Sequence, residues 1–405
     1  MRALVYYHSI PRYLASGLLA LLHRKRFFPC IAPLKLRDVH FPPPIPNLDT
    51  EWVLLKTRLC GICGSDLNLL RGTESLLLEP YASFPAILGH EVVAEVEQSP
   101  RGSGLAPGDR VIVEPVLYCT IRGLPLCHSC AQGDTNLCER YTEGYLPSGP
   151  IIGYNATVGG GMAERLAVHV TQCHKVPQDM PDKTAVLVDS LASALQPTLD
   201  NFPDPNDQVV VYGAGIIGQH LIRCLRALGF TGRLVAVARH GFQLEAAQSG
   251  GADQVLISPS RFAIGEALGA RFLPTTFNGG NLEGGADLFF DCIGSSQSFQ
   301  EGLLALRARG RLVMVATAST IKSVDLSSLW FRQLTITGTA CYSHSTHQQR
   351  PIHTYRMALE LLASTTYPTH NLLTHTFRLD DYAIAFQTLF NKSTHHSMKA
   401  AFDLR

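Results

Sequence analysis

The chain has 405 residues, of which 46% are hydrophobic and 17% are charged, and its formal net charge is +1. This length exceeds the size at which one hydrophobic core stops growing, so we expect two domains. A nearly neutral chain gives no electrostatic reason to expect nucleic acid as a partner. The eleven cysteines are an odd number and fall in clusters, which favours metal binding in a reducing cytoplasm over secreted disulfides.

The N-terminal segment contains no predicted membrane span. Its longest apolar run, residues 14–22, is shorter than the roughly 18–20 residues that a membrane helix needs. A basic run follows it and no small-residue cleavage site is suitably placed, so we expect neither a signal peptide nor a membrane partner. Residues 12–26 instead fit one short amphipathic helix.

Residues 1–190 are rich in glycine, proline and short runs of strand-forming residues. Such runs occupy residues 52–59, 92–96 and 110–113, and a Pro-Gly-Asp turn precedes the last of them. This pattern predicts a β-rich domain with long functional loops.

Residue types that bind zinc follow two of these runs. Cys63 lies in Gly-Ile-Cys-Gly-Ser-Asp, and His90 lies in Gly-His-Glu. An open catalytic zinc site uses three protein ligands. Asp189, an acid inside an apolar stretch, is the predicted third ligand, and helix N-capping is the alternative for it. Asp66 and Glu91 fit supporting positions around the metal, with Asp66 orienting the imidazole.

On these motifs the chain resembles the zinc-dependent medium-chain dehydrogenase/reductase superfamily of alcohol, polyol and threonine dehydrogenases. The resemblance runs from about residue 40 to the end of the chain. It implies that Cys63 rather than Cys60 is the ligand, because the family's ligand directly precedes Gly-Ser-Asp. It allows Cys, Glu or Asp at the position of Asp189, and it makes Glu91 a possible transient ligand.

The proton released by an alcohol would first pass to Ser65, two residues after the ligand cysteine. Many relatives continue this relay through a histidine five residues after that cysteine, where this chain has Asn68. Asparagine does not titrate near neutral pH, so the terminal acceptor stays open between water and a ribose hydroxyl.

A second cluster of cysteines resembles the family's structural-zinc lobe. In the family, four cysteines are closely spaced, but Leu124 stands where the first is expected. A closed tetrahedral site needs four ligands. The predicted structural zinc ligands are Cys119, Cys127, Cys130 and Cys138. His128 is a poorer substitute because it lies between two ligands, and the alternatives are a lobe without metal or with three thiolates and water.

A glycine-rich loop marks the change to a second domain. Residues 209–212 form a short apolar strand, and residues 219–228 have helical periodicity. The Gly-x-Gly-x-x-Gly run between them is in the context that a dinucleotide site requires. The predicted cofactor-binding residues of this loop are Gly213, Gly215, Ile216, Ile217 and Gly218.

The residues at the end of the next predicted strand, 234–238, indicate which of the two nicotinamide cofactors binds. An NAD site normally has a carboxylate there, whereas this chain has Ala238 followed by Arg239. We therefore predict NADP in preference to NAD, with Arg239 binding the 2′-phosphate. The alternative is that Arg239 stacks on the adenine or faces solvent. Asp291 ends a later strand and either contacts the cofactor or caps its own loop.

Further strands are predicted at residues 234–238, 255–257, 288–290 and 312–315, with a helix at 242–249. Beyond residue 340 we predict one helix, residues 355–362, and a last strand, 398–404, that returns to the first domain. The predicted α/β fold is a Rossmann doubly wound parallel sheet inserted between segments of a β-rich GroES-like catalytic domain. The expected boundaries are 1–190, 191–338 and 339–405.

A Lewis acid and a hydride carrier in one chain predict an oxidoreductase that interconverts an alcohol, polyol or sugar with its carbonyl form. An NAD-dependent threonine or sugar dehydrogenase is the nearest alternative. A zinc-free quinone or enoyl reductase would lack the ligand set, and a nucleotide-binding protein without activity would not need Ser65. The family resemblance implies a homodimer or homotetramer.

Overall fold

The structure is a computed structural model that describes residues 1–23, 25–259, 262–277, 279–317, 320–364 and 366–405. The chain divides into two compact units. The first unit comprises Met1–Asp189, Tyr355–Ser364 and Leu373–Arg405, and the second comprises Ser190–Thr354 and Thr365–Leu372. No helix in the described ranges is both long and apolar enough to cross a bilayer.

The strands are distributed over both units. In chain order they are β1 (Arg2–Tyr6), β2 (Leu34–Asp38), β3 (Trp52–Ile62), β4 (Ala86–Ile87), β5 (Glu91–Gln98), β6 (Arg110–Val113), β7 (Arg165–His169), β8 (Cys173–Lys175), β9 (Gln208–Tyr212), β10 (Arg233–Ala238), β11 (Gln254–Ile257), β12 (Arg271–Leu273), β13 (Asn281–Glu283), β14 (Ala286–Asp291), β15 (Leu306–Met314), β16 (Thr335–Gly338), β17 (His344–His347), β18 (Arg350–His353), β19 (Leu373–Arg378) and β20 (Lys399–Asp403).

The α-helices are mostly short. In chain order they are α1 (Ile10–Leu22), α2 (Leu48–Glu51), α3 (Gly64–Arg71), α4 (His128–Ala131), α5 (Asp182–Ala185), α6 (Val188–Asp200), α7 (Ile216–Ala227), α8 (Gly241–Ser249), α9 (Ala263–Ala267), α10 (Ser296–Ala305), α11 (Ser327–Phe331), α12 (Thr354–Ala363), α13 (Tyr382–Phe390) and α14 (Lys392–His395).

The first unit is built on a seven-stranded sheet. Its order is β19-β20-β3-β5-β6-β8, with β7 also paired to β3, and a separate three-stranded sheet has the order β2-β1-β4. The last strand pairs antiparallel with β3, so that Phe402 lies opposite Cys60. The end of the chain therefore completes this sheet, as the sequence predicts.

The second unit is built on six parallel strands in the order β11-β10-β9-β14-β15-β16. This is the doubly wound arrangement, in which the strand order reverses beside the first strand. Apolar side chains cover both faces of the sheet, because Val209 and Val211 belong to one buried cluster and Val210 belongs to another. The predicted Rossmann sheet is confirmed.

The late part of the chain differs from the prediction in two respects. The second unit extends to Thr354, because the Ser343 amide and the Thr354 hydroxyl both donate to Gln196 Oε1, at 3.0 and 2.6 Å. The prediction of one helix beyond residue 340 was wrong, since α13 follows α12. Helix α13 is apolar on several faces and buries Phe386 and Leu389. It therefore lacks the one-sided periodicity that identifies a surface helix.

The buried carboxylate of Asp182 links strands β3 and β6 of the first unit through hydrogen bonds. Asp182 accepts hydrogen bonds from Arg58 Nε at 2.8 Å and from Arg110 at 2.9 Å. Burial raises the pKa of Asp182, but hydrogen bonds from the two guanidinium groups outweigh it and hold this pKa below its usual value. The stabilisation is therefore present above the unfolded pKa near 3.9 and is lost as pH falls through the lower folded value.

We expect Asp182→Asn to lower the free energy of unfolding by about 1–3 kcal/mol at pH 7, because the two guanidinium groups lose the buried carboxylate that they share. The difference from the wild type should shrink as pH falls below about 4. Urea unfolding at several pH values tests this, with Asp179→Asn as the control because Asp179 is exposed. A penalty that stays constant with pH would contradict the assignment.

Candidate active site

The first candidate site lies at the end of β3 and the start of β5, which are neighbouring strands in the sheet of the first unit. In the antiparallel pair β3–β5, Gly61 lies opposite Glu91. Cys63 follows β3 and His90 precedes β5, so this register brings the two side chains together. The ligand atoms of Cys63, His90 and Glu91 all lie within 4.8 Å of one another.

The strand pairing leaves room for the carboxylate of Glu91. A Cβ atom added to Gly61 would lie 2.0 Å from Glu91 Oε2, so any larger residue would displace this carboxylate. On the next helix, α3, the Cys63 amide donates to Asp66 Oδ2 at 2.8 Å. Asp66 thus holds the first turn of the helix that carries the ligand cysteine.

Negative charge is concentrated around the His90 imidazole. Burial alone lowers the pKa of His90, but the hydrogen bond and the charge of Cys63, together with the charges of Asp66 and Asp189, raise it to about 10. Such a group of anionic donors is the environment that a divalent cation neutralises. Thiolate, imidazole and carboxylate are also the donor types that zinc prefers, so the residues present fit this metal.

The second candidate site is the cysteine cluster. The sulfur atoms of Cys119, Cys127, Cys130 and Cys138 lie within 4.8 Å of one another, and all four residues are buried. Backbone amides point at these sulfurs: the Cys127 amide lies 3.4 Å from Cys119 Sγ, and the Cys130 amide lies 3.5 Å from Cys127 Sγ. Amide donors of this kind stabilise thiolates, so the cluster fits a tetrahedral structural zinc.

The glycine-rich loop of the second unit joins β9 to α7. A Cβ atom added to Gly218 would lie 2.1 Å from the Gly213 carbonyl oxygen, so the helix can pack this closely only with glycine there. Gly215 is the N-cap of α7 and faces open space, and Ile216 and Ile217 form its half-buried first turn. The loop therefore presents a helix N-terminus to an anionic ligand.

Two further residues predicted at the cofactor site have different environments. Arg239 follows β10, and its side chain is exposed. Asp291 ends β14 and is buried, and its carboxylate accepts from the Ile293 and Gly294 amides at 2.9 and 3.0 Å and from the Ser298 hydroxyl at 2.9 Å. Asp291 thus caps its own loop, which is one of the two roles expected for it.

Two family models match the chain. The alcohol dehydrogenase GroES-like domain matches residues 49–178, and the zinc-binding dehydrogenase domain matches residues 217–364. The chain belongs to the zinc-dependent medium-chain dehydrogenase/reductase superfamily. It is accordingly an NAD(P)-dependent oxidoreductase that acts on CH–OH groups.

Individual relatives agree with this assignment. Starvation-sensing protein RspB of Escherichia coli is 26% identical over 356 residues, which cover 88% of this chain and 93% of RspB. L-idonate 5-dehydrogenase of Vitis vinifera is 26% identical, with 86% of this chain and 87% of that protein covered. The structure of alcohol dehydrogenase TADH from Thermus sp. ATN1 covers 100% of both chains with a TM-score of 0.73 at 23% identity. These proteins resemble the chain over most of its length, and the TADH structure, at 23% identity, shows a shared fold.

The predicted third ligand of the dehydrogenase lies near the first site. Asp189 is buried in the first turn of α6, and its charge contributes to the raised pKa of His90. Among the described residues, it is not part of the group formed by Cys63, His90 and Glu91. Its role as a ligand therefore stays a prediction.

Sequence reasoning missed the counter-ion of Glu91. Lys399 on β20 forms a salt bridge with this carboxylate, and both side chains are almost fully buried. Burial lowers the pKa of Lys399, but the charges of Glu91, Cys63 and Asp189 outweigh it and raise this pKa. The available signal was a lysine inside the apolar run near the C-terminus, because a buried lysine is seldom unpaired.

A second missed residue organises the cysteine lobe. The Arg122 side chain is fully buried and donates five hydrogen bonds to backbone carbonyls. The acceptors are the carbonyl oxygens of Leu117, Glu143, Leu146, Pro147 and Gly149. All the guanidinium donors are thereby satisfied, so Arg122 joins the chain on both sides of the cysteines.

A third missed residue is a tyrosine beside the first site. The ring centroids of Tyr154 and His90 are 6.3 Å apart. Burial raises the pKa of Tyr154 well above its ordinary value, the charges of Asp66 and Glu74 raise it further, and the nearby hydroxyl of Ser65 lowers it. The phenol therefore keeps its proton at neutral pH, and it lies close to the predicted proton acceptor.

Proposed function

We propose that the enzyme is a zinc-dependent dehydrogenase that interconverts a polyol or sugar-type alcohol and its carbonyl form, with NADP preferred over NAD. The observation that carries the zinc chemistry is the close group of Cys63, His90 and Glu91, with the buried hydroxyl oxygen of Ser65 two residues from the cysteine. The polyol class is supported by the L-idonate 5-dehydrogenase relative, whose named substrate carries several hydroxyl groups. A homodimer or homotetramer remains part of the proposal and is testable by light scattering.

The residues of the first site have separate tasks in this proposal. Bound zinc would polarise the alcohol oxygen, and bound nicotinamide would accept the hydride. Cys63 and His90 would hold the metal, with Asp189 as the third ligand. Ser65 Oγ, which is buried two residues from the ligand cysteine, would relay the alcohol proton: it would accept that proton while its own hydroxyl proton passes on to water or to a ribose hydroxyl of the bound cofactor.

The cofactor preference rests on the end of β10. Ala238 is buried there and has no carboxylate that would repel a 2′-phosphate, and the exposed Arg239 follows it. A guanidinium group binds phosphate oxygens in bidentate fashion. An NAD-dependent threonine or sugar dehydrogenase is the second candidate, and initial rates over a panel of alcohols, polyols and sugars with both cofactors separate the two.

We expect Arg239→Gln to lower kcat/KM for NADP by about 10- to 100-fold, because charge-assisted contacts with the 2′-phosphate are lost. The value for NAD should change by less than about threefold, since NAD lacks this phosphate. Arg233→Gln is the matched control, because Arg233 is exposed at the opposite end of the same strand. An equal loss with both cofactors would contradict a 2′-phosphate contact.

A further inference from the structure

Helix α1 exposes its large apolar side chains instead of burying them. Five of its residues are between 61% and 71% exposed, namely Ile10, Leu14, Leu18, Leu21 and Leu22. Their spacing of three and four residues places them along one side of the helix. A helix on the surface of a globular domain normally turns such a side toward the core. We call these five residues the α1 stripe, and the orientation of the helix leaves the stripe open to a partner.

The opposite side of α1 attaches the helix to the first unit. Ser16 is buried on this side, and the Tyr13 hydroxyl donates to the Glu74 carbonyl at 3.1 Å. A Cβ atom added to Gly17 would lie 3.4 Å from the Gly72 carbonyl oxygen, so the helix backbone approaches this loop closely. A protein groove that encloses a helix cannot reach the attached side, whereas a lipid surface needs only the exposed one.

The segment that carries α1 is strongly positive. The first 37 residues contain seven arginines and lysines and no acidic residue, although the formal net charge of the whole chain is only +1. Lys25 and Arg26 follow α1 closely, and both are exposed. Glu79 lies near the other end of the helix, where its carboxylate is 3.8 Å from His8. An apolar stripe that ends in a cationic cluster is typical of helices that lie in the plane of an anionic membrane.

We propose that α1 docks on an anionic lipid bilayer, with the α1 stripe inserted between the lipids and with Lys25 and Arg26 against the acidic head groups. The contact involves one surface only, because the 13 residues of α1 are fewer than the roughly 20 that a spanning helix needs. It replaces the expectation, drawn from the lack of a span, that the chain has no membrane partner. A second copy of the chain brings the same positive segment and so offers no opposite charge.

The test measures cosedimentation of the zinc-loaded full chain with vesicles of phosphatidylcholine, either alone or with about 30% phosphatidylserine. We expect binding to the anionic vesicles to be at least about tenfold tighter. Leu14→Gln combined with Leu18→Gln should weaken that binding at least about tenfold, because two inserted leucines are lost. Lys25→Gln combined with Arg26→Gln should weaken it by about 10- to 30-fold and should leave binding to phosphatidylcholine alone unchanged.

Leu326→Gln combined with Ile384→Gln is the matched control, because both residues are exposed and lie outside α1. Every variant should keep the thermal midpoint, zinc content and dehydrogenase activity of the wild type, since the substituted side chains are exposed. Equal binding to both kinds of vesicle, or binding that the α1 substitutions leave unchanged, would overturn the proposal. Absence of vesicle binding would overturn it as well. An oligomer that the two leucine substitutions dissociate would then show that a second copy covers the α1 stripe.

Discussion

Cys63→Ala is expected to abolish alcohol oxidation almost completely, with kcat/KM falling at least about a thousandfold. Removing one thiolate from a three-ligand site weakens metal binding, and loss of Lewis-acid stabilisation raises the reaction barrier by ~4 kcal/mol or more. Zinc content should fall from two ions per chain to one, since the chain has two separate groups of candidate ligands. Elemental analysis and initial rates measure the two effects on the same sample.

Cys60→Ala is the matched control for this substitution. Cys60 lies three residues away and is fully buried, but it does not belong to either group of candidate ligands among the described residues. We expect Cys60→Ala to keep both zinc ions and most of the activity, with only a packing penalty of about 1 kcal/mol. If Cys60→Ala lost the metal and Cys63→Ala kept it, the ligand assignment would be reversed.

Lys399→Met is expected to cause the largest loss of stability. The substitution leaves the buried carboxylate of Glu91 without its counter-ion, and breaking a buried ion pair in this way costs about 3–5 kcal/mol. Urea unfolding, followed by a probe in the first unit, should show an earlier midpoint. Lys35→Met is the control, because Lys35 is exposed on β2 and should change stability by less than about 0.5 kcal/mol.

The double variant Glu91→Gln with Lys399→Met separates the contribution of the ion pair to stability from the contribution of side-chain packing. Because it removes both charges, we expect it to recover at least half of the stability lost in Lys399→Met. A double variant as unstable as the sum of the two single variants would show that the charges do not interact.

The sequence predicts the parts of the molecule that depend on neighbouring residues. The strand, glycine-rich loop and helix around Gly213–Gly218 are local in the chain, and the position of the loop between that strand and that helix predicts a dinucleotide site. The pairing of Cys63 with His90 follows from family motifs, and the β3–β5 register supplies its geometric reason. The return of the last strand is predictable because its apolar pattern needs a sheet to join.

The residues that sequence reasoning missed act through distant partners. Glu91 and Lys399 are 308 residues apart, so no local pattern links them. Arg122 binds only backbone carbonyls, which carry no sequence signal. Tyr154 gains its significance from the Ser65 hydroxyl and the His90 ring, and these contacts exist only in the folded first unit.

The most direct test of zinc-dependent alcohol oxidation is a metal titration of the wild-type enzyme. Protein from which a chelator has removed the metal is reloaded with zinc stepwise. The alcohol-dependent reduction of NADP and of NAD is followed during the titration. We expect activity to be absent in the metal-free protein, to return in proportion to zinc bound at the site containing Cys63, and to be higher with NADP. Full alcohol oxidation by protein without zinc would contradict the proposed chemistry.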